Sequence, residues 1–389
     1  MARVLISLVG GRPLPNLLVT LHLQPDHLYF IVSQDSVGPG RDYEKTLVAL
    51  PQTLKAVEKI VAPYKLQETV TACRAIIDQH LADEILIHVT LGPKTMAFGA
   101  YDVAKELKSV GAQIDVCYLA RENLVWAFRD TIEPVSIGLE QYFGSYGWDV
   151  CWQKDVHSEK FQHLVTLFIE NLPLAQRLLN ILRDNDKGKG KRTIHCKRSL
   201  AVDEYVLLQE IEQLQIISNV RQSEQGSSWM INSQEDSDYL LTGDWLEYHI
   251  YQTAKRLTNR KQESLFLECG WGVEDTKGKG EIDFAGIFGG QMLLASCKTE
   301  SGIKRAWFED LHSKADQLGK GMCSCLLVTS VARSTRTDAD LEQYTKWAQE
   351  RQIVLVMAED ISKLDAILRK VILADEKAEP QTIPCYPRI

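Results

Sequence analysis

The sequence predicts an α/β protein: a parallel, doubly wound N-terminal domain, a mixed linking segment, and a second α/β domain at the C-terminal end. Three observations carry this expectation. Apolar strand-like runs alternate with amphipathic stretches from residue 3 to about 120. A different order of elements, built around a glycine hairpin, begins near residue 240. The chain has 389 residues, 45% hydrophobic and 25% charged, which suits two or three globular domains with cores of their own.

Taken in order, "RVLISLVG" and "HLYFIVSQ" read as buried strands. "PQTLKAVEKIVAPY" reads as a helix with apolar residues at helical spacing, and "ACRAIIDQHLA" as a second. "EILIHVTLG" is a third strand. "KTMAFGAYDVAKELKSVG" is a long helix stopped by Gly111, and "AQIDVCYLA" a further strand. This domain is expected over residues 1–145. The linking segment, 146–238, holds "SEKFQHLVTLFIENLPLAQRLLNILR", which reads as helical, then "DNDKGKGKR", an exposed basic loop. The helix "AVDEYVLLQEIEQLQII" and a β wing, "SSWMIN", follow, so a winged-helix-like spacer is one reading. The last domain is expected over 239–389. It opens with the turn and helix "LLTGDWLEYHIYQTAKRLTN" and the hairpin. A helix near 306–318, the strand "CSCLLVTS", the helix "DADLEQYTKWAQERQ", the strand "IVLVMA", a last helix and a Pro-containing tail complete it.

Composition narrows the function classes. A net charge of −8 excludes general polyanion binding by bulk charge, so contact with nucleic acid would come from local patches. Nine scattered cysteines without a CxxC pair argue against a zinc site or a disulfide framework, and for a reducing cytoplasm. No apolar run approaches the roughly 20 residues that span a bilayer, so no membrane association is expected. "MARVLISLVGGRPLP" reads as a strand entering a loop rather than a signal peptide.

The hairpin "GEIDFAGIFGGQMLLASCKTE" is the most informative stretch. Gly289-Gly290 suits a type I′ turn, which needs positive φ at both central positions. With no bulge, Phe288 pairs with Gln291, Asp283 with Ser296 and Glu281 with Lys298. Glu281, Asp283, Ser296, Lys298 and Glu300 then crowd one face, while Ile282, Phe284, Ala295 and Cys297 take the other. Two carboxylates beside one ammonium suit a hard divalent cation such as Mg²⁺. Such a cation activates water and offsets phosphate charge. The same residues also read as a solvated face with cross-strand Glu–Lys pairing.

Helix, carboxylate strand, and strand ending in Lys together resemble the PD-(D/E)xK restriction-endonuclease-like nucleases, over about residues 240–360. The matching residues are Glu247, "EID" at 281–283 and "SCK" at 296–298. The resemblance implies Asp283 as main metal ligand, Glu247 reaching the metal from the helix, the Cys297 carbonyl completing the ligands, and Lys298 as the catalytic lysine. Ser296 stands where the family usually has Glu or Asp. Glu281 or Glu300 would compensate, or metal binding would be weaker. Lys304, Arg305, Lys314 and Lys320 flank this site, and Lys255, Arg256, Arg260 and Lys261 form a second basic cluster; either would suit phosphates.

In the N-terminal domain, ligands are expected beyond the carboxyl ends of the strands. "GGRPLPN", "SQDS" and "TLGPKT" fall there. The last runs from a strand into the start of a long helix, offering backbone N–H groups, a hydroxyl and an ammonium to an anion. Plain capping by Thr95 would account for less of it. This stretch resembles the CARF domain, the Rossmann-like sensor of cyclic oligoadenylates in CRISPR systems, with Pro93 in place of a smaller residue. Sensor and nuclease together look like the ancillary nucleases of type III CRISPR antiviral defence. The resemblance implies a ligand site lined by Gly10, Gly11, Arg12, Asn16, Ser33, Gln34, Asp35, Thr90, Gly92, Pro93, Lys94 and Thr95. It also implies a homodimer that binds cyclic tetra-adenylate and cleaves DNA or RNA with Mn²⁺ or Mg²⁺. Two rivals stand beside it: a ligand-controlled nucleic-acid-binding regulator whose nuclease site Ser296 has silenced, and an enzyme that cleaves the cyclic messenger in the sensor pocket without metal.

Overall fold

A computed structural model describes residues 1–37, 42–50, 54–153, 158–185, 192–319 and 322–373. Lys320, residues 186–191 of the expected basic loop and the Pro-containing tail lie outside them.

The first domain is built from β1 (Arg3–Leu8), α1 (Leu14–Leu23), β2 (His27–Ser33), α2 (Asp42–Ala49), β3 (Ala56–Val61), α3 (Leu66–Ile77), β4 (Glu84–His88), α4 (Lys94–Ser109), β5 (Ile114–Ala120), β6 (Asn123–Trp126) and β7 (Ile132–Pro134), closed by α5 (Leu139–Ser145). The sheet order is β3-β2-β1-β4-β5-β6-β7. The first five strands are parallel, and β6 and β7 return antiparallel. The apolar runs of β1 and β4 are covered on both faces, as central parallel strands require. The order reverses between β1 and β4, the place where open α/β sheets take ligands beyond the strands' carboxyl ends.

One expectation fails here. The stretch 51–64, read as a helix, holds β3 instead, paired with β2 from Leu28–Ala56 to Ser33–Val61. It is an edge strand, with Val57 and Ile60 about half exposed at 48% and 51%. The spacing of its apolar residues mimics a helix, but β-branched side chains tolerate an extended edge equally well, and the pairing decides.

The middle segment contributes β8 (Val150–Gln153), α6 (Glu159–Glu170), α7 (Leu172–Asn185), β9 (Arg192–Cys196), α8 (Val202–Gln213), β10 (Ile217–Ser223) and β11 (Gly226–Ile231). From α6 onward this is helix, helix, strand, helix and hairpin, with sheet order β10-β11-β9. This helical segment thus carries a three-stranded antiparallel sheet of its own. Strand β8 departs from the expected division, because it joins the C-terminal sheet beside β12. A four-residue edge strand is too short to assign by alternation alone.

The C-terminal domain runs through α9 (Gln234–Leu241), α10 (Asp244–Arg256), β12 (Glu268–Asp275), β13 (Glu281–Phe288), β14 (Gln291–Lys298), α11 (Arg305–Gln317), β15 (Cys323–Thr329), α12 (Asp338–Glu350), β16 (Ile353–Val356), α13 (Ala358–Ile361) and α14 (Leu364–Leu373). Its sheet, β16-β15-β14-β13-β12-β8, is mixed: parallel from β14 to β16 and antiparallel elsewhere. Both faces are covered. Phe284, Leu293, Ala295 and Cys297 share a core with α6, α7 and α10. Ala285, Ile287, Met292 and Leu294 share another with α5, α11 and, through them, α1 and β2 of the first domain.

Candidate active site

The glycine turn forms as its chemistry requires, with φ of 49° at Gly289 and 68° at Gly290. The register expected from it holds from Phe288–Gln291 to Phe284–Ala295, and stops there. Beyond that point the Asp283–Ser296 and Glu281–Lys298 pairs do not form as ladder pairs. Side-chain alternation breaks at the same place. Ile282, expected on the face of Phe284, packs into the opposite core with Val273 and Trp148, whereas Phe284, Ala295 and Cys297 keep the expected face.

The break gives Asp283 its setting. Its Oδ2 accepts from the backbone N–H of Cys297 at 2.5 Å, from Lys298 Nζ at 3.1 Å and from Ser296 Oγ at 3.2 Å. Oδ1 takes none of these three bonds. Asp283, Ser296 and Lys298 thus meet as the sequence predicts, although through side chains rather than the ladder.

Glu247 reaches the same place from the first turn of α10. Its carboxyl is pushed up to about 9, first by burial, then by the charges of Asp283, Asp244 and Glu281. Glu281, at the exposed start of β13, is also raised, by partial burial and by the charges of Asp283 and Glu274. Burial pulls the Lys298 ammonium down, but Asp283, with Cys297 and Glu247, outweighs it and the net shift is upward. Glu247, Glu281, Asp283, Ser296 and Lys298 therefore form one electrostatic unit. The Cys297 thiol is driven well above its ordinary value by burial, so only its backbone serves the site.

The crowding of Glu247 and Glu281 against Asp283 leaves negative charge that a hard cation would relieve. Glu247, Asp283 and the Cys297 carbonyl fit such a cation chemically. They amount to two side chains and one backbone oxygen. Among the described residues, no group of three or more His, Cys, Asp or Glu side chains is arranged to hold a metal. Ser296 is the reason within the hairpin, since it supplies a hydroxyl where a third carboxylate would stand. Glu300 does not replace it: it is exposed and paired with Lys304.

The flanking basic residues are largely occupied. Lys304 pairs with Glu300, Arg305 with Glu309 at 2.8 Å, and Lys314 with Asp310 at 2.7 Å. Lys255 and Arg256 are exposed in the last turn of α10, Lys255 roughly 12 Å along the helix from Glu247, and Arg260 and Lys261 are exposed beyond its end.

In the first domain the loops after β1 and β4 touch. A Cβ on Gly10 would lie 2.8 Å from the Gly92 nitrogen, and Gly92 has a φ of 78°, so both positions suit glycine. Lys94 is exposed at the start of α4, just after Pro93. Thr95 does not cap that helix; its hydroxyl donates to the Pro63 carbonyl at 2.5 Å. Gln34 and Asp35 are exposed beyond β2, while Ser33 is buried and bonded to Ser36. Gly11 and Arg12 line a cavity of about 430 Å³ with Tyr146 and the end of α11.

Two of the expected ligand residues belong to a hydrogen-bonded row beneath these loops: Asn16 is fully buried, and Thr90, partly buried, is bonded on both sides. The Leu119 N–H donates to Thr90 Oγ1 at 2.6 Å, which bonds His88 Nε2 at 2.6 Å; His88 Nδ1 bonds Ser7 Oγ at 2.7 Å, which donates to Asn16 Oδ1 at 2.9 Å. Burial pulls His88 down to about 3, so the imidazole stays neutral and holds this row beneath the loops. Ser7 and His88 were not legible as site residues, because both sit inside apolar strand runs.

Comparison with known proteins follows the same division. Residues 234–374 match the family of Card1-like endonuclease domains. No curated protein matches the chain. Among solved structures it is similar to Can2 from Sulfobacillus thermosulfidooxidans in complex with cyclic tetra-adenylate, at 16% identity and a TM-score of 0.71, over 95% of this chain and 97% of that one. It is similar to a protein from Vibrio cholerae at 15% identity and a TM-score of 0.70, over 96% and 98%. A type III CRISPR defence DNA nuclease activated by cyclic oligoadenylate matches at 14% identity and a TM-score of 0.50, over 85% of this chain and 45% of that one. The chain shares the Can2 fold, and the expected architecture of a Rossmann-like α/β domain followed by a second α/β domain, the latter within the endonuclease match, holds.

Proposed function

We propose that this chain, whose C-terminal part is a Card1-like endonuclease domain, is a metal-dependent endonuclease switched on by a cyclic oligoadenylate, cyclic tetra-adenylate being the first choice. The observation that carries the reading is the conjunction of two sites on one fold. A carboxylate–lysine centre lies inside the endonuclease match, and loops at the carboxyl ends of a parallel sheet lie in the part of the chain whose fold a cyclic-tetra-adenylate-bound protein shares.

In this reading the chain divides into a sensor (1–145), a linking segment (146–238) and a nuclease (239–389), with β8 lent to the last. Gly10, Gly92, Pro93, Lys94, Gln34 and Asp35 line the ligand site, over the row from Asn16 to Thr90. Two chains pair so that one activator spans both sensors. Asp283, Glu247 and the Cys297 carbonyl would hold Mn²⁺ or Mg²⁺. That ion would supply acidified water and charge compensation for the scissile phosphate. Lys298, kept protonated beside Asp283, orients the attacking water or a phosphate oxygen. Activator binding favours the competent pairing of nuclease domains through its differential affinity for the two states. The substrate is DNA, nicked or cut as single strands, or RNA, in a reducing cytoplasm. Among the described residues no helix is long and apolar enough to cross a membrane.

The regulator reading draws on Ser296 and on the absence of a three-side-chain metal cluster among the described residues. The charge of the linking segment speaks against it. Helix α8 carries Asp203, Glu204, Glu210 and Glu212 and no basic residue, a balance that suits a phosphate backbone poorly.

The test is incubation with supercoiled plasmid and with labelled single-stranded DNA and RNA, in Mn²⁺, with and without cyclic tetra-adenylate. Cleavage that needs both ligand and metal supports the proposal and names the substrate. Tight activator binding without cleavage rejects it for the regulator. Linear adenylates as the only product favour messenger cleavage.

A further inference from the structure

Helix α7 belongs to the middle segment, yet its last turns reach the catalytic end of β14. We infer that Arg183 is a positioning residue for hydrolysis, clamping the turn that launches the Glu247 helix to the strand end that carries Lys298. The inference rests on the endonuclease reading above.

Arg183 Nη1 donates to the Thr299 carbonyl at 2.6 Å, and Nη2 to Thr299 Oγ1 at 2.8 Å. Nε and Nη2 donate to the Leu241 carbonyl at 3.2 and 3.0 Å. Thr299 directly follows Lys298. Leu241 ends α9, and α10 begins three residues later at Asp244. One planar guanidinium therefore joins both segments, a task for which its rigid fork is suited and a lysine ammonium is not.

The segments also touch directly. Gly243, with φ of 135°, sits so close to Thr299 that a Cβ there would lie 3.1 Å from Thr299 Oγ1. A second α7 residue completes the brace. Gln176 Nε2 donates to the Thr299 carbonyl at 3.0 Å, and its Oε1 accepts from Ser330 Oγ. The Ser330 N–H in turn donates to the Lys298 carbonyl at 3.2 Å. Lys298 is thus braced from both sides of its backbone, and Glu247 is braced to the same point.

Asp283 needs no such help, because the Cys297 amide ties it to β14. The relation left to fix is that of α10 to β14, and Arg183 is the group that bridges it. Misplacement of a reacting group by about 1 Å costs on the order of 100-fold in rate.

The test uses Arg183→Lys in the full chain, which keeps the charge and loses the fork. Amide hydrogen exchange is read at 242–247 and 299–303. Cleavage of a labelled oligonucleotide is read with cyclic tetra-adenylate and Mn²⁺. The expected result is faster exchange in both segments together, kcat lower by roughly 10- to 100-fold, and KM within about 3-fold of wild type. Activator affinity should not change. Unaltered exchange in either segment overturns the inference, as does wild-type kcat in the variant. If the wild-type protein itself does not cleave, the endonuclease reading fails, and the exchange data still decide the clamp.

Discussion

The Cys297 amide N–H donates to the Asp283 carboxylate at 2.5 Å, at the point where β13 and β14 stop pairing as a ladder. A side-chain oxygen takes the place of a backbone carbonyl. The strands are thereby free to part, and the donor that would be orphaned is satisfied by the group the site needs held still. Asp283 is fixed by the same hairpin that presents Lys298.

On the proposed reading, Lys298→Ala should lower cleavage by roughly 100- to 1,000-fold, because it removes an ammonium that would face the developing phosphate charge. Binding of cyclic tetra-adenylate, measured by calorimetry, should be unchanged. Full activity in this variant would reject the role given to Lys298.

Glu247 is held neutral by burial and by neighbouring carboxylates, with its pKa near 9 in the folded protein. Between its unfolded value and 9, the folded state binds the extra proton, so stability falls as pH rises through that window. Glu247→Gln should flatten this slope in thermal melts without metal and raise stability by about 1 kcal/mol at pH 8 to 9. Mn²⁺ binding to the wild type should release up to one proton near neutral pH, read from calorimetry in buffers of different ionisation enthalpy. The variant should release none from this group.

Ser296→Asp supplies the third carboxylate. It should lower the Mn²⁺ concentration for half-maximal cleavage by roughly tenfold, since affinity for hard cations rises with ligand charge. Without metal it should destabilise the chain, because a new charge then faces Asp283. Unchanged metal dependence would show that Ser296 is no weakness of the site.

His88 has the opposite sign. Its folded pKa lies near 3, below the unfolded value of 6.5. The unfolded chain therefore takes up a proton first, and stability contributed above that value is lost as pH falls toward 3. The slope is about 1.4 kcal/mol per pH unit for one such group. His88→Gln should remove it from melts recorded between pH 6.5 and 4.5.

The parts of the site legible in the sequence were those set by local chemistry. A Gly-Gly turn fixes a register, and the register brings Asp283, Ser296 and Lys298 together. Glu247 came from resemblance, since nothing local ties a helix surface position to a strand some thirty-five residues away. The brace from Arg183 and Gln176 was invisible, because it joins groups 58 to 123 residues apart through backbone carbonyls that have no sequence signature. The misread helix at 51–64 shows the converse limit: an exposed edge strand carries too little apolar alternation to declare itself.

Helix α5 packs Leu139, Tyr142 and Phe143, all fully buried, between the first domain and the C-terminal sheet. The Tyr142 hydroxyl meets the Cys323 thiol, 3.7 Å away, where β15 begins. The seam of this protein is therefore an interior, not a hinge. A chimaera that borrows a sensor from a relative and joins it near residue 145 would swap one half of a packed core for a stranger. The graft would need the facing residues of β13, β14 and β15 to travel with it.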